Sequence, residues 1–335
     1  MKLYRLAQHG SLDHLTLVGE PAPAPASDEV LVRIRAASLN ARDLMVILGP
    51  SPYGPRPGLI PLSDGAGEVV AIGSEVTGWA EGDRAVLPFR PGWIDGPLEP
   101  QMIATDLGGG VDGVLAEYVT VKARALVRLP EAVSFEAAAA LPCAGVTAWN
   151  AIRQGAAPLA GDVVLVQGTG GVSIFALQIA KALGCRVIAT TSSDARAERL
   201  LALGADHVVN YRDRSDWDAA VLDLTGAKGA SRIVEIGGAG TLPRSMTCLA
   251  SQGEIALVGL LDNPMDTISP LPLMRGMGVL RGISVGSRAH LAALVAFMAD
   301  RFEPVIDSVF GFEQATEALG HLAARQHFGK VVLRI

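Results

Sequence analysis

Two rhythms of hydrophobic and polar positions divide the chain. Up to about residue 125 (boundaries read from pattern are good to a few residues), apolar and polar residues alternate in short runs. Residues 29–36 read EVLVRIRA and 67–73 read GEVVAIG, and 83–88 and 114–121 keep the same period of two. Such runs are half-buried strands. Proline and glycine clusters at 50–58 and 91–97 separate them, so this part is expected to form a partly open β-barrel. PAPAPA at 21–26 reads as a stiff surface turn. Beyond about residue 130 the rhythm changes. DVVLVQ at 162–167 is an apolar, β-rich run, and VSIFALQIAKAL at 172–183 repeats near 3.6. CRVIAT at 185–190, a helix at 195–203, DHVVN at 206–210, a helix at 217–224 and strands at 232–236 and 254–259 continue the alternation. Strands alternating with helices predict βαβ units on a doubly wound parallel sheet. After Ser287, one long helix and two strands around a helix (305–335) are too little for a domain and are expected to return to the barrel.

The expected organisation is therefore α/β: a barrel domain at 1–125, a doubly wound parallel-sheet domain at 126–287 and a returning segment at 288–335. Half of the 335 residues are hydrophobic and 19% are charged, which suits two large cores and excludes a disordered chain. The net charge of -6, with no basic run, argues against nucleic acid as a partner. The first ten residues have no apolar h-region, and no apolar stretch approaches a membrane span, so neither a signal peptide nor a membrane partner is expected. Cys143, Cys185 and Cys248 are odd in number and far apart. That points away from disulfides and from a cysteine-rich metal lobe, and towards a reducing cytoplasm.

The chemistry concentrates in one loop. Gly168-Thr169-Gly170-Gly171-Val172-Ser173 lies between an apolar strand and an amphipathic helix. Gly168 permits a tight turn and Gly170 lets the backbone approach a pyrophosphate. The helix N-terminus then offers free N–H groups to the anion. Ser173 stands where a glycine or alanine is usual. The alternative is a structural glycine turn in another doubly wound protein. An NAD site wants an acid at the tip of the second strand for the ribose 2′-hydroxyl. Here that strand runs into Thr190-Thr191-Ser192-Ser193, and Ser192 with Arg196 could hold a 2′-phosphate. The reading is NADPH ahead of NADH. Asp194 is the competing feature, read as a cap on the helix starting at 195.

The segment from Gln167 to Arg212, QGTGGVSIFALQIAKALGCRVIATTSSDARAERLLALGADHVVNYR, resembles the cofactor half of medium-chain dehydrogenase/reductases, in the quinone-oxidoreductase-like branch. SLNARDLMVILGPSPYG, PLSDGAGEVVAIGSEV, GDRAVLP, DGVLAEYV, LPCAGVTAWNAI and HFGKVVL match that family in order, so the resemblance spans the chain. It implies a GroES-like barrel, a Rossmann domain and a cofactor cleft between them. The catalytic zinc positions of zinc-dependent members fall on Asn40, Ser63 and Cys143, and the cysteines of a second, structural zinc are missing. Asn and Ser do not replace thiolate and imidazole on zinc, so no metal is expected. Cys143 is read as a small apolar neighbour of the nicotinamide.

The resemblance also places Asn40 and Tyr53 near nicotinamide and substrate. Asn40 reads equally as the N-cap of a helix at 41–48, with Asp43 completing a partial capping box. Tyr53 could orient a carbonyl, donate a proton or simply pack. Thr147 is a candidate nicotinamide contact or a packing residue, Tyr211 an adenosine-phosphate contact or an exposed strand-end residue, and Lys330 a phosphate contact. Trp93, in the loop 89–113, is read as a surface tryptophan, with stacking on a planar substrate as the alternative.

The expected function is an NADPH-dependent, zinc-free oxidoreductase that passes hydride to a quinone or an α,β-unsaturated carbonyl. Two alternatives stay open: an alcohol or aldehyde dehydrogenase using Tyr53 or water, and an NADPH-binding structural or sensing protein with little turnover. The β-prone segment 279–286 would be an unprotected sheet edge. In related reductases the matching strand pairs with its own copy, so a homodimer is expected.

Overall fold

The computed structural model describes residues 1–259 and 267–335. They form two compact units, one of Met1–Val146 with Val285–Ile335 and one of Thr147–Ser284. The first unit opens with the hairpin β1 (Lys2–Leu6) and β2 (Leu15–Gly19). Then come β3 (Glu29–Ser38), α1 (Ala41–Leu48), β4 (Asp64–Ile72), β5 (Arg84–Val86), β6 (Tyr118–Lys122), β7 (Val127–Arg128) and α2 (Phe135–Ala139). The alternation in β3 does what the pattern predicts. Val30, Val32 and Ile34 are buried, while Arg33 between them faces out. Residues 126–146, grouped above with the nucleotide-binding part, fall in this first unit. The reason is local pairing: β7 is hydrogen-bonded antiparallel to β5, and α2 packs on β3 and β4.

The second unit begins in α3 (Val146–Arg153). It alternates β8 (Val163–Gln167), α4 (Gly171–Ala182), β9 (Arg186–Thr191), α5 (Asp194–Ala202), β10 (His207–Asn210) and α6 (Trp217–Leu224). β11 (Ala230–Glu235), α7 (Leu242–Thr247), β12 (Leu249–Leu257), α8 (Leu271–Gly276) and β13 (Val279–Gly282) complete it. All six strands run parallel in the order β10-β9-β8-β11-β12-β13. The order reverses between β8 and β11, and nucleotides bind doubly wound sheets beyond the strand ends at such a point. Val164, Leu165 and Val166 of β8 are fully buried, because helices cover both faces of a parallel sheet. Burying each such side chain contributes about 1.5–3 kcal/mol. β13 is the sheet edge, with Val279 and Leu280 about 40% exposed. It is shorter than the segment 279–286 read from sequence, because Val285 takes a left-handed backbone conformation (φ 49°) that breaks the extended run.

The chain then re-enters the first unit as α9 (Arg288–Met298), β14 (Ile306–Gly311), α10 (Ala315–Ala323) and β15 (Lys330–Arg334). β15 pairs with both β14 and β3, so the last strand lies inside the first sheet. No helix among the described residues is long and apolar enough to cross a membrane.

One buried ion cluster crosses three strands of the parallel sheet. Arg232 on β11 donates to Glu254 on β12 at 2.6 Å, and Arg281 on β13 donates to the same carboxylate at 2.8 Å. Arg232 is 1% exposed, and its other nitrogen donates to the carbonyls of Gln154 and Ala156. Glu254→Ala would strand a buried guanidinium, so it should lower stability by about 3–5 kcal/mol in denaturant unfolding at pH 7. Desolvation raises the Glu254 carboxyl, but the two arginines overcome it and hold it below its ordinary value of 4.5. A depressed carboxyl stabilises the fold above its unfolded pKa, and that share disappears as pH falls through the depressed value. The gap between wild type and variant should therefore close on acidification below about pH 4.5.

Candidate active site

The glycine loop joins β8 to α4. Gly168 has φ +74°, a conformation that favours glycine, and its N–H donates to the Thr190 carbonyl at 2.8 Å. Gly170 is the N-cap of α4, and no side chain caps that helix. A Cβ built on Gly168 or Gly170 meets no protein atom within 4 Å, so the loop borders open space. Uncapped first-turn N–H groups beside a cleared backbone suit a pyrophosphate, with Gly171 and Val172 opening the helix. Thr169 is buried. Ser173 explains its own departure from the usual small apolar residue. Its hydroxyl is 2% exposed and donates to the Gln167 carbonyl at 2.5 Å, tying the helix to the end of β8.

Around the next strand end, Ser192 follows β9, Arg196 lies in the first turn of α5 and Tyr211 follows β10. The Tyr211 N–H donates to the Thr191 carbonyl at 2.9 Å, and the Tyr211 side chain is 42% exposed. Asp194 is the first residue of α5 rather than its cap, since Ser193 holds the N-cap position. The Asp194 carboxylate accepts from the Asn210 amide at 2.8 Å. Thr147 is buried near the start of α3.

A feature with no sequence signal lies between β8 and β11. Glu235, fully buried, accepts from the Gln167 amide at 2.8 Å, from the N–H groups of Gly237 and Gly238 at 2.9 and 3.1 Å, and from the hydroxyls of Thr241 and Ser245. It stitches the turn after β11 to the end of β8, at the reversal of strand order. In the sequence it is one acid after an apolar strand.

The first unit gathers the other candidates. Asn40 stands at the N-cap of α1, and its N–H donates to the Asp43 carboxylate at 2.8 Å, the acidic half of a capping box. The Asn40 amide oxygen accepts from the Lys330 ammonium at 2.6 Å, and the Leu39 carbonyl accepts from the same ammonium at 2.6 Å. Lys330, read above as a phosphate contact, is 3% exposed: the position of β15 beside β3 turns its charge into this cluster instead. The Ser63 hydroxyl donates to Asp64 at 2.7 Å, and the Cys143 N–H donates to the other Asp64 oxygen at 3.0 Å. Desolvation raises the pKa of Asp64, with Lys330 opposing. Desolvation also pushes Asp43 up to about 6, with Arg42 opposing, and drives the Cys143 thiol well above its ordinary range. Among the described residues, no group of three or more His, Cys, Asp or Glu side chains could hold a metal ion.

Tyr53 joins a second cluster. Its hydroxyl donates to Asp106 at 2.7 Å, and Arg90 grips the same carboxylate through two nitrogens. Desolvation raises the phenol to about 12, with Arg42 opposing and Asp106 adding to the rise. The phenol is therefore neutral near pH 7, and its proton points at a carboxylate. Trp93 is not a surface residue. It is 6% exposed, its indole N–H donates to the Gly96 carbonyl at 2.9 Å, and its ring meets His290 edge-on at 6.2 Å. The loop folds over it because Arg288 and Ala289 donate to the Trp93 and Ile94 carbonyls.

Comparison with known proteins agrees with this architecture. Residues 26–131 match the alcohol dehydrogenase GroES-like domain model, and residues 171–300 match the zinc-binding dehydrogenase model. A zinc-type alcohol dehydrogenase-like protein of Schizosaccharomyces pombe is 40% identical over 92% of this chain and 91% of its own length. A solved NAD-dependent alcohol dehydrogenase is 35% identical, with a TM-score of 0.90 over 100% of both chains. A mycobacterial protein solved in complex with NADPH is 27% identical, with a TM-score of 0.82 over 100% of both chains. Proteins named quinone oxidoreductase and alcohol dehydrogenase both occur among the further relatives. With its sheet order, its glycine loop and this similarity along nearly the whole chain, the protein belongs to the medium-chain dehydrogenase/reductase superfamily of oxidoreductases.

Proposed function

We propose that the protein is a zinc-independent, NADPH-dependent reductase of quinones or α,β-unsaturated carbonyls. The observation that carries this reading is the state of Asn40, Ser63 and Cys143, which occupy the family's zinc-ligand positions. One accepts an ammonium, one donates to Asp64, and only the third, Cys143, is a thiol. Zinc needs deprotonated sulfur or imidazole donors, so this set does not suit it. Without a Lewis acid, the developing alkoxide of a simple ketone lacks a stabiliser. A conjugated acceptor spreads that charge itself, which favours quinones and enones over the alcohol or aldehyde alternative.

Loop residues Gly168, Thr169, Gly170, Gly171 and Val172 would hold the cofactor pyrophosphate, Ser192 and Arg196 the 2′-phosphate, and Tyr211 the adenosine side. Once bound, the nicotinamide supplies the hydride. The family resemblance assigns Thr147 and Asn40 to the ring and sets Tyr53 beside the reacting carbonyl, where its oxygen would hold a water. Because its proton is given to Asp106, Tyr53 is better suited to accept a hydrogen bond than to act as the acid, which leaves water to deliver the proton. The first test is a spectrophotometric screen of NADPH oxidation against quinones, enones and aldehydes. Turnover of a quinone or enone, unchanged after dialysis against a chelator, is the expected result. Loss of activity with one bound zinc per chain would overturn the mechanism, and cofactor binding with no turnover of any acceptor would favour a sensing role.

The cofactor preference rests on the absence of an acid at the tip of β9 and on the engagement of Asp194 by Asn210. NADPH should be preferred over NADH, and Arg196→Ala should narrow the gap by about 1–3 kcal/mol, read from the ratio of kcat/KM values. A wild type that prefers NADH would give Asp194 the ribose instead.

We also propose a homodimer formed through β13. This edge strand carries exposed Val279 and Leu280, and α8 beside it exposes Met274, with Met277 between them. Pairing with a second copy across a two-fold axis would satisfy the edge. Light scattering at micromolar concentration should give twice the chain mass, and a monomer would reject the dimer.

A further inference from the structure

The loop 89–113 contains a buried ion pair of which the reaction as described uses only one carboxylate oxygen, and Arg90 not at all. Arg90 and Asp106 are 4% and 1% exposed in their side chains. Arg90 Nη2 donates to Asp106 Oδ2 at 2.9 Å, and Arg90 Nε faces Asp106 Oδ1. The guanidinium lies 5.7 Å from the ring centres of both Phe89 and Trp93. The loop is closed at its base by the Leu107 N–H on the Phe89 carbonyl, at 3.1 Å. It is tied to α1 by Arg42, which donates to the carbonyls of Leu107 and Gly108.

Closing this loop does not by itself require charge. Apolar side chains of similar volume hold buried contacts as well or better, because an ion pair must first be stripped of water. What apolar residues could not supply is a fixed acceptor, and one hydroxyl uses it. Tyr53 donates to the same oxygen, Oδ2, that Arg90 Nη2 holds. The Tyr53 ring is pinned on its other sides. Arg42 lies over it at 5.3 Å, and a Cβ on Gly109 would come within 2.5 Å of the ring edge. The ring thus has a fixed plane, and its hydroxyl hydrogen has a fixed direction.

We propose that Arg90 and Asp106 are positioning residues that aim the Tyr53 hydroxyl hydrogen away from the substrate, so that the phenol oxygen meets the reacting centre as a hydrogen-bond acceptor. The partner it selects is a donor: a water, or the hydroxyl of the hydroquinone, enol or alcohol form of the substrate. Asp106 acts only through Tyr53, and the inference rests on the reading that Tyr53 lies beside the reacting carbonyl and holds a water there.

The test is a kinetic cycle with the acceptor that gives turnover. The variants are Tyr53→Phe, the paired Arg90→Met/Asp106→Ala, and all three changes together. Replacing both ions at once avoids a lone buried charge and protects folding. The paired variant should lower kcat about as far as Tyr53→Phe does, by at least about fivefold. Its NADPH dissociation constant and melting temperature should stay near wild type, a split that a merely structural loop anchor would not give. The triple variant should fall no further than Tyr53→Phe, because residues acting through one another are not additive. Arg90→Leu/Asp106→Val serves if the paired variant does not fold. It fills the space with apolar volume and again leaves the Tyr53 hydroxyl without its carboxylate acceptor, so kcat should again fall, without addition to Tyr53→Phe. Wild-type kcat in the paired variant, or losses that multiply with Tyr53→Phe, would overturn the inference while leaving Tyr53 in its role. Wild-type kcat in Tyr53→Phe alone would overturn that role and the inference with it.

Discussion

A buried ammonium sets the terms for the first unit. Lys330 is 3% exposed, and an ammonium in that position must be met by oxygens or it costs several kcal/mol. The Leu39 carbonyl and the Asn40 amide oxygen meet it, and Asp64 lies close enough to feel its field. Each of these groups is then committed. The end of β3 must deliver Leu39 and Asn40 to one spot, Asn40 must begin α1, and Asp64 must begin β4. The Cys143 N–H is drawn to Asp64 in turn. Residues separated by almost the whole chain are thus held by one cation.

The second unit depends on a different constraint, the order of its strands. With β8 and β11 adjacent and their following helices leaving in opposite senses, the strand ends open a crevice that the glycine loop borders. Glu235 keeps the two lips of that reversal in register by accepting from both sides. A carboxylate suits this place because one group can accept several donors, while an apolar residue would leave the N–H groups of Gly237 and Gly238 unmet.

Much of this was legible in the residues. The change of period near residue 130, the strand-loop-helix setting of Gly168–Ser173 and the helices at 41–48 and 217–224 follow from short-range pattern, and short-range pattern is what a sequence displays. Asn40 as a cap with Asp43 at N3 was legible for the same reason. The ion pairs were not. Arg90 and Asp106 lie sixteen residues apart in a loop without periodicity, and Lys330 and Asn40 meet only because β15 pairs with β3. Trp93 looked like a surface residue because its loop is rich in glycine and proline. Its burial depends on α9, almost two hundred residues further on. The extended run after Gly282 was overestimated because nothing in the local pattern marks Val285 for a left-handed turn.

The return of β15 to the first sheet also orders events in time. A ribosome releases residues 147–284 with all six parallel strands before β14 and β15 exist. The nucleotide-binding unit can therefore close while Ala36–Ser38 at the end of β3 still lack the partner that β15 supplies, and Asn40 still lacks its cation. During that interval this short stretch of edge is available to another strand, and synthesis of the last thirty residues ends the exposure.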